Sequence, residues 1–443
     1  MFKKDFLWGS ASAAYQIEGA IDTDGKGPSI WDVWAHIEGK TFEGTNGDIA
    51  CDHYHRFKED VQLMKEQGLK AYRFSISWPR IMPKGRGEIN LTGIKFYNDL
   101  IDELLKNDIV PVVTLYHWDL PQSLQDLYSG WLSPEIVEDF ENYASVCFEN
   151  FGDRVKHWIV MNEPNIFTQL GYILQIHPPG INDPYMYLKA YHHTALAHAK
   201  SVLKYKSMNQ GGIIGSSIAF SPAYAENEED NEALEHYYAT GPWWFMDSYM
   251  KGEYPEIGLN YYKEKACLPK FSKEDMAILK EGAELTDFIG INYYQTAMIR
   301  KHETNGHEQV KNPNVEHTDW GWAIDPEGLL YGMKELKDRY DKPVLISENG
   351  LGAYDTLTDD LEIEDDYRID FIKKHIEACD QAIEYGVDLI AYMTWSFTDL
   401  LSWLNGYKKR YGFVFIDFED DNLRRVKKKS YYWYKDVIEN NGL

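Results

Sequence analysis

Two glutamates stand where a chain would place a reacting pair. Glu163 lies in Met161-Asn162-Glu163-Pro164 and Glu348 in Ile346-Ser347-Glu348-Asn349-Gly350. Each closes a short apolar, β-rich run at a point where the chain must turn. A lone glutamate usually caps a helix or pairs with a surface lysine. Two carboxyls at the ends of two buried strands differ, because facing charges resist joint ionisation and one of them keeps its proton. Such a pair is what cleavage of a glycosidic acetal requires. One carboxylate attacks the anomeric carbon and the other protonates the leaving oxygen, the two standing about 5 Å apart where configuration is retained.

Candidate supporting groups occupy other strand ends. Arg73, in Tyr72-Arg73-Phe74-Ser75, could hold a nucleophilic carboxylate ionised and oriented, or equally form a structural ion pair. His117-Trp118 and Asn292-Tyr293-Tyr294 offer hydroxyl-binding and stacking partners for a sugar, although a lone histidine like His117 is more often a core residue. Metal chemistry needs converging ligands. His53 and His55 fall in a loop and helix start, and His192-His193 in a helical run. No metal and no cofactor is expected, since carboxyls suffice for this chemistry.

Strands and helices must alternate to present these residues. Strand-like runs cover 6–14, 71–77, 110–116, 157–162, 212–220, 287–294, 343–348 and 389–397. Several are continuously apolar, as parallel strands buried on both faces are. Helical spacing runs over 57–67 up to Gly68, over 91–106 behind the cap Asn90, from Ser133-Pro134-Glu135 onward, and over 365–385. Eight such units predict an α/β fold, a (β/α)₈ barrel forming one domain over 1–443, with inserted loops at the C-terminal face of the strands. Strands four and seven then face each other across the barrel mouth. A doubly wound sheet is the alternative, weakened by the lack of a glycine-rich phosphate loop. Segments 183–203 and 226–268 are longer than barrel connections need and are expected to shape the mouth. The acidic run beginning at Glu226 reads as a solvated loop or helix start.

The 443 residues carry 71 acidic and 45 basic side chains, for a net charge of −26. That balance argues against nucleic-acid and anionic-membrane partners. An anionic substrate would need a local basic pocket working against the global field. Four separated cysteines, Cys51, Cys147, Cys267 and Cys379, suggest buried thiols rather than a disulfide framework. With no signal-like or membrane-spanning segment, a cytoplasmic protein is expected. The 14 Trp and 32 Tyr suit either a large core or a sugar site. Nothing here sets the oligomeric state.

The chain also resembles glycoside hydrolase family 1 over its whole length. The opening Phe6-Leu-Trp-Gly-Ser-Ala-Ser-Ala-Ala-Tyr-Gln-Ile-Glu-Gly19 is similar to the family's N-terminal signature. Tyr116-His-Trp-Asp-Leu-Pro121, Asn162-Glu-Pro164, Asn292-Tyr-Tyr294 and Ile346-Ser-Glu-Asn-Gly350 resemble its later blocks. Val160-Met161 departs from the family's usual Thr-Phe, on the strand rather than at the reacting group. The resemblance implies a retaining mechanism with Glu163 as acid/base and Glu348 as nucleophile. It implies that Gln16, His117, Asn162 and Trp395 line the non-reducing sugar's subsite, and that Tyr294 touches the nucleophile.

A second departure bears on substrate. Family β-glucosidases carry Glu-Trp after the eighth strand, the Glu binding the sugar's 4- and 6-hydroxyls. Here Ser402-Trp403 stands in that place, followed by Lys409 and Tyr411. A carboxylate would repel a phosphate on the 6-oxygen, whereas a serine hydroxyl can donate to it. Lys409 can supply the countercharge and Tyr411 a further donor. The set resembles that of the family's 6-phospho-β-glycosidases, and Trp403 resembles the 6-phospho-β-galactosidase type. The implied substrate is a small glycoside, a phosphorylated disaccharide or aryl glycoside, of the kind formed in bacteria during uptake and cleaved inside the cell. Two rivals remain: an unphosphorylated β-glucosidase or β-galactosidase, and a non-catalytic sugar-binding barrel.

Overall fold

The computed structural model describes residues 1–443. Eight parallel strands close into a barrel in chain order: β1 (Leu7–Ala11), β2 (Ala71–Ser75), β3 (Val110–Tyr116), β4 (His157–Asn162), β5 (Ile213–Ala219), β6 (Phe288–Tyr293), β7 (Val344–Asn349) and β8 (Leu389–Trp395). Eight outer helices follow them one for one: α1 (His53–Gln67), α2 (Leu91–Lys106), α3 (Glu135–Phe151), α4 (Pro184–Met208), α5 (Lys273–Leu285), α6 (Pro326–Tyr340), α7 (Asp366–Tyr385) and α8 (Lys429–Asn440). Every strand-like run of the sequence coincides with one barrel strand, the seventh extending one residue further, to Asn349. The double burial inferred from apolar runs holds too, since Trp158, Ile159, Val160 and Met161 of β4 are all fully buried.

Local chemistry sets the helix ends. The Asn90 side chain accepts a hydrogen bond from the Thr92 backbone N–H, and Gly68 ends α1 in the left-handed region at φ 83°. Two expectations need correction. Segment 183–203 is most of the outer helix α4, not an insertion; Asp183 caps it and Pro184 opens it. The helix read from Ser133 begins at Glu135, with the Ser133 hydroxyl only a long acceptor at 3.4 Å.

The connections are unequal in a way that decides where a site can form. Returns from helix to strand are short, as at 68–70, 286–287 and 386–388. Connections after strands are long, as at 12–52, 220–272, 294–325 and 396–428, and pile up at one end of the barrel. The 220–272 connection includes the expected 226–268 segment and carries three short helices. The four cysteines are buried and unpaired. No helix is long and apolar enough to cross a membrane.

Candidate active site

Glu163 and Glu348 stand at the long-loop end of β4 and β7. Register irregularities precede both, between Ile159 and Asn162 against β5 and between Ile346 and Glu348 against β6. Such breaks re-aim side chains at a barrel rim. Glu163 sits at φ 47°, ψ 56°, a left-handed conformation uncommon for a residue with a Cβ, and it opens the helix Pro164–Tyr172. Gly350 lets the chain leave β7, since a Cβ there would lie 2.0 Å from the Trp395 carbonyl oxygen.

A buried hydrogen-bond mesh fixes the pair. Arg73, fully buried on β2, donates to Glu348 Oε1 at 2.7 Å, to the Ser347 carbonyl at 3.0 Å, to Asn162 Oδ1 at 2.6 Å and to Thr114 Oγ1 at 3.0 Å. Tyr294 donates to Glu348 Oε2 at 2.6 Å. Asn292 donates to Glu163 Oε1 at 2.8 Å and to Asn162 Oδ1 at 3.0 Å, while its own Oδ1 accepts from the Ser347 hydroxyl at 2.6 Å.

The two carboxyls therefore differ electrically. Burial raises the Glu163 pKa and the negative Glu348 raises it further; the Asn292 hydrogen bond and Arg73 only partly oppose this. Burial raises Glu348 too, but the Arg73 charge and hydrogen bonds from Tyr294, Arg73 and Asn292 all favour its ionised form. The pair is set to share one proton, and that proton belongs on Glu163. Glu163 Oε1 is occupied by Asn292, which leaves Oε2 to face the cleft.

That cleft, about 230 Å³, is lined by Gln16, His117, Trp118, Asn292, Tyr294, Trp395, Ser402, Trp403, Lys409 and Tyr411 as well as both glutamates. Asn162 and Arg73 lie beneath it. Asn162 Nδ2 meets His117 Nε2 at 3.0 Å, and the Trp118 indole donates to the Asn162 carbonyl at 2.9 Å. Burial and the Arg73 charge keep His117 neutral. Accepting on Nε2 places its proton on Nδ1. Buried His117 Nδ1 and Gln16 Oε1 have no protein partner. Unpaired buried polar atoms are costly, and hydroxyls of a polar ligand would satisfy them. Trp395 stacks on His117 with centroids 5.8 Å apart, and Trp403 packs on Trp31 and Trp118 at 4.4 and 4.8 Å.

Ser402, Lys409 and Tyr411 belong to the connection after β8. Lys409 is 2% exposed, takes part in no ion pair, and has its Nζ 3.6 Å from the centre of the Trp322 ring. Burial lowers its pKa to about 7. The loop that carries it is anchored below by charge. Asp399 accepts from Arg410, the Gly412 backbone and Lys428, and Arg368 donates to the Tyr411 and Leu351 carbonyls.

Sequence reasoning missed several lining residues. Ile166 and Leu170 lie on the helix opened by Glu163, His177 is buried among indoles with both ring nitrogens unpartnered, and Trp322 comes from the connection after β6. The i, i+4 spacing of Ile166 and Leu170 beyond Asn162-Glu163-Pro164 was a readable signal. His177 and Trp322 lie in irregular loops that carry none.

A model of glycosyl hydrolase family 1 matches residues 1–443. The chain is 49% identical to an aryl-phospho-β-D-glucosidase of Bacillus subtilis, covering 100% of this chain and 98% of that one. It is 45% identical to β-glucosidase A of Acetivibrio thermocellus, over 100% and 99%. Its structure resembles a β-glucosidase from Thermotoga maritima in complex with glucoimidazole, with TM-score 0.95, 41% identity and coverage of 100% and 99%.

Proposed function

The chain belongs to glycosyl hydrolase family 1, and from that membership we propose that it hydrolyses 6-phospho-β-glycosides with retention, using Glu348 as nucleophile and Glu163 as acid/base. Ionised Glu348, held by Arg73 and Tyr294, attacks the anomeric carbon. As the bond to the aglycone breaks, Glu163 gives its proton to the leaving oxygen. A glycosyl ester on Glu348 results. Glu163, now charged, takes a proton from water, which attacks the same carbon and releases Glu348. Gln16, His117 and Asn292 bind hydroxyls, with Asn162 holding His117 and Asn292 from beneath, while Trp118, Trp395 and Trp403 wall the sugar.

Similarity alone does not choose the substrate, because phospho- and unphosphorylated-glucoside enzymes both stand among the relatives. One observation favours phosphate: Ser402, in place of a carboxylate, lines the cleft with Tyr411 and the buried Lys409, whose amine has no carboxylate partner to support its charge. An unpaired buried charge is costly, and a ligand anion is the partner it lacks.

The test compares kcat/KM on aryl β-glucoside, aryl β-galactoside and the 6-phosphate of each. The phosphorylated pair should be preferred by at least about 100-fold, since a site built for a charged group discriminates strongly, and the better of that pair names the sugar. Ser402→Glu should erase the preference. Equal or better cleavage of the unphosphorylated pair would instead support an ordinary β-glycosidase.

A further inference from the structure

The Lys409 ammonium rests on aromatic faces supplied by another connection. Its Nζ lies 3.6 Å from the ring centre of Trp322, 4.7 Å from that of Trp320 and 5.3 Å from that of Tyr411. The two indoles come from Asp319-Trp320-Gly321-Trp322, between β6 and α6, where Gly321 takes φ +77°. On a third side the lysine stem runs over Gly352. A Cβ at that glycine would lie 2.3 Å from Lys409 Cε and 2.7 Å from its Cγ. Three connections, after β6, β7 and β8, thus converge on one lysine.

We infer that Trp320, Trp322 and Gly352 form a seat that favours the charged form of Lys409 and aims it into the cleft, and so determine selectivity for a phosphorylated substrate. The inference rests on the phosphate reading above. Its physical basis is the kind of partner used. A carboxylate beside Lys409 would stabilise the ammonium but cancel its field and repel an arriving phosphate. An indole face attracts a cation through its quadrupole and carries no net charge, so it does not cancel the charge that meets the anion. Burial alone would drive the amine towards neutrality, and the aromatic faces oppose that. Gly352 leaves the stem room to reach them. Trp320 is not among the cleft-lining residues, so its effect must pass through Lys409, and it is a positioning residue rather than a catalytic one.

The experiment measures kcat and KM on an aryl 6-phospho-β-glycoside and its unphosphorylated counterpart, for the unaltered protein, Trp320→Leu, Trp320→Phe and Gly352→Ala. Trp320→Leu and Gly352→Ala should raise KM for the phosphorylated substrate about tenfold with kcat held, and leave the unphosphorylated substrate within twofold. Trp320→Phe, which keeps an aromatic face, should recover most of the loss. If Gly352→Ala does not fold, the two Trp320 variants still decide. Parallel losses on both substrates, or no change on either, overturn the seat while the phosphate reading stands. No preference for phosphate in the unaltered protein overturns that reading and the seat with it.

Discussion

At the scale of single residues the site is a set of unequal pairs. Glu163 and Glu348 are chemically identical, and their neighbours set them apart. Glu348→Gln should lower kcat by at least about 10⁴-fold on every substrate, because no carboxylate remains to form the ester. Glu163→Ala should slow glycosides of poor leaving groups by orders of magnitude and spare those of very good ones, since only the former need a proton; an equal loss on all would refute its role as acid. Lys409 sets a different pH dependence. Its pKa is lowered to about 7 by burial, so in the free protein its charge is lost as pH rises through that value. A phosphate monoester becomes fully charged above about pH 6. KM for the phosphorylated substrate should therefore be lowest between about pH 6 and 7 and rise above it, while KM for the unphosphorylated substrate stays flat there. A parallel rise in both would show that the catalytic pair, not Lys409, governs binding.

At the scale of elements, strands hold the reacting groups and connections hold the groups that choose the substrate. This division also explains what the sequence made legible. Residues near strand ends such as Asn292 and Glu348 could be found because each closes an apolar run with a fixed place in the barrel, whereas Arg73, expected at a strand end, lies in the middle of β2 and reaches the site by its length. Trp320, Trp322 and Gly352 could not, because irregular connections have no period and their convergence on Lys409 is a tertiary fact. Helix α4 was misread for another reason. Leu188, Ala190, His193, Leu196, Ala197 and His198, which point to different sides of the helix, are all buried, so no single apolar stripe marks it. The anchoring charges were equally invisible. Asp399, fully buried, holds Arg410 and Lys428 together, and Asp399→Asn would leave both cations short of a partner. That substitution should cost about 3–5 kcal/mol, seen as a lowered midpoint in urea or heat, and should raise KM for phosphorylated substrates more than for unphosphorylated ones.

At the scale of the whole molecule the net charge of −26 opposes the proposed substrate. A dianionic phosphate approaches through a repulsive field and meets attraction only at the cleft. Raising ionic strength from about 0.01 to 0.15 M shortens the screening length from about 30 to about 8 Å. The long-range repulsion fades, while the contact with buried Lys409 is little screened. kcat/KM for the phosphorylated substrate should rise severalfold over that range and that for the unphosphorylated one should not move. A fall for the phosphorylated substrate would mean that local attraction already dominates its approach.

The mesh around Arg73 has a bearing on how such a protein can change. Groups from β2, β3, β4, β6 and β7 meet there, each satisfied by another. Altering one of them strands its neighbours, so this part resists gradual modification. The connection after β8 contributes no group to that mesh and is held beneath by its own charges. Descent can therefore rewrite substrate choice there, by exchange of a short stretch, without reopening the problem of bond cleavage. An engineer wishing to move specificity between relatives would graft that stretch together with its tryptophan neighbours and leave the barrel floor untouched.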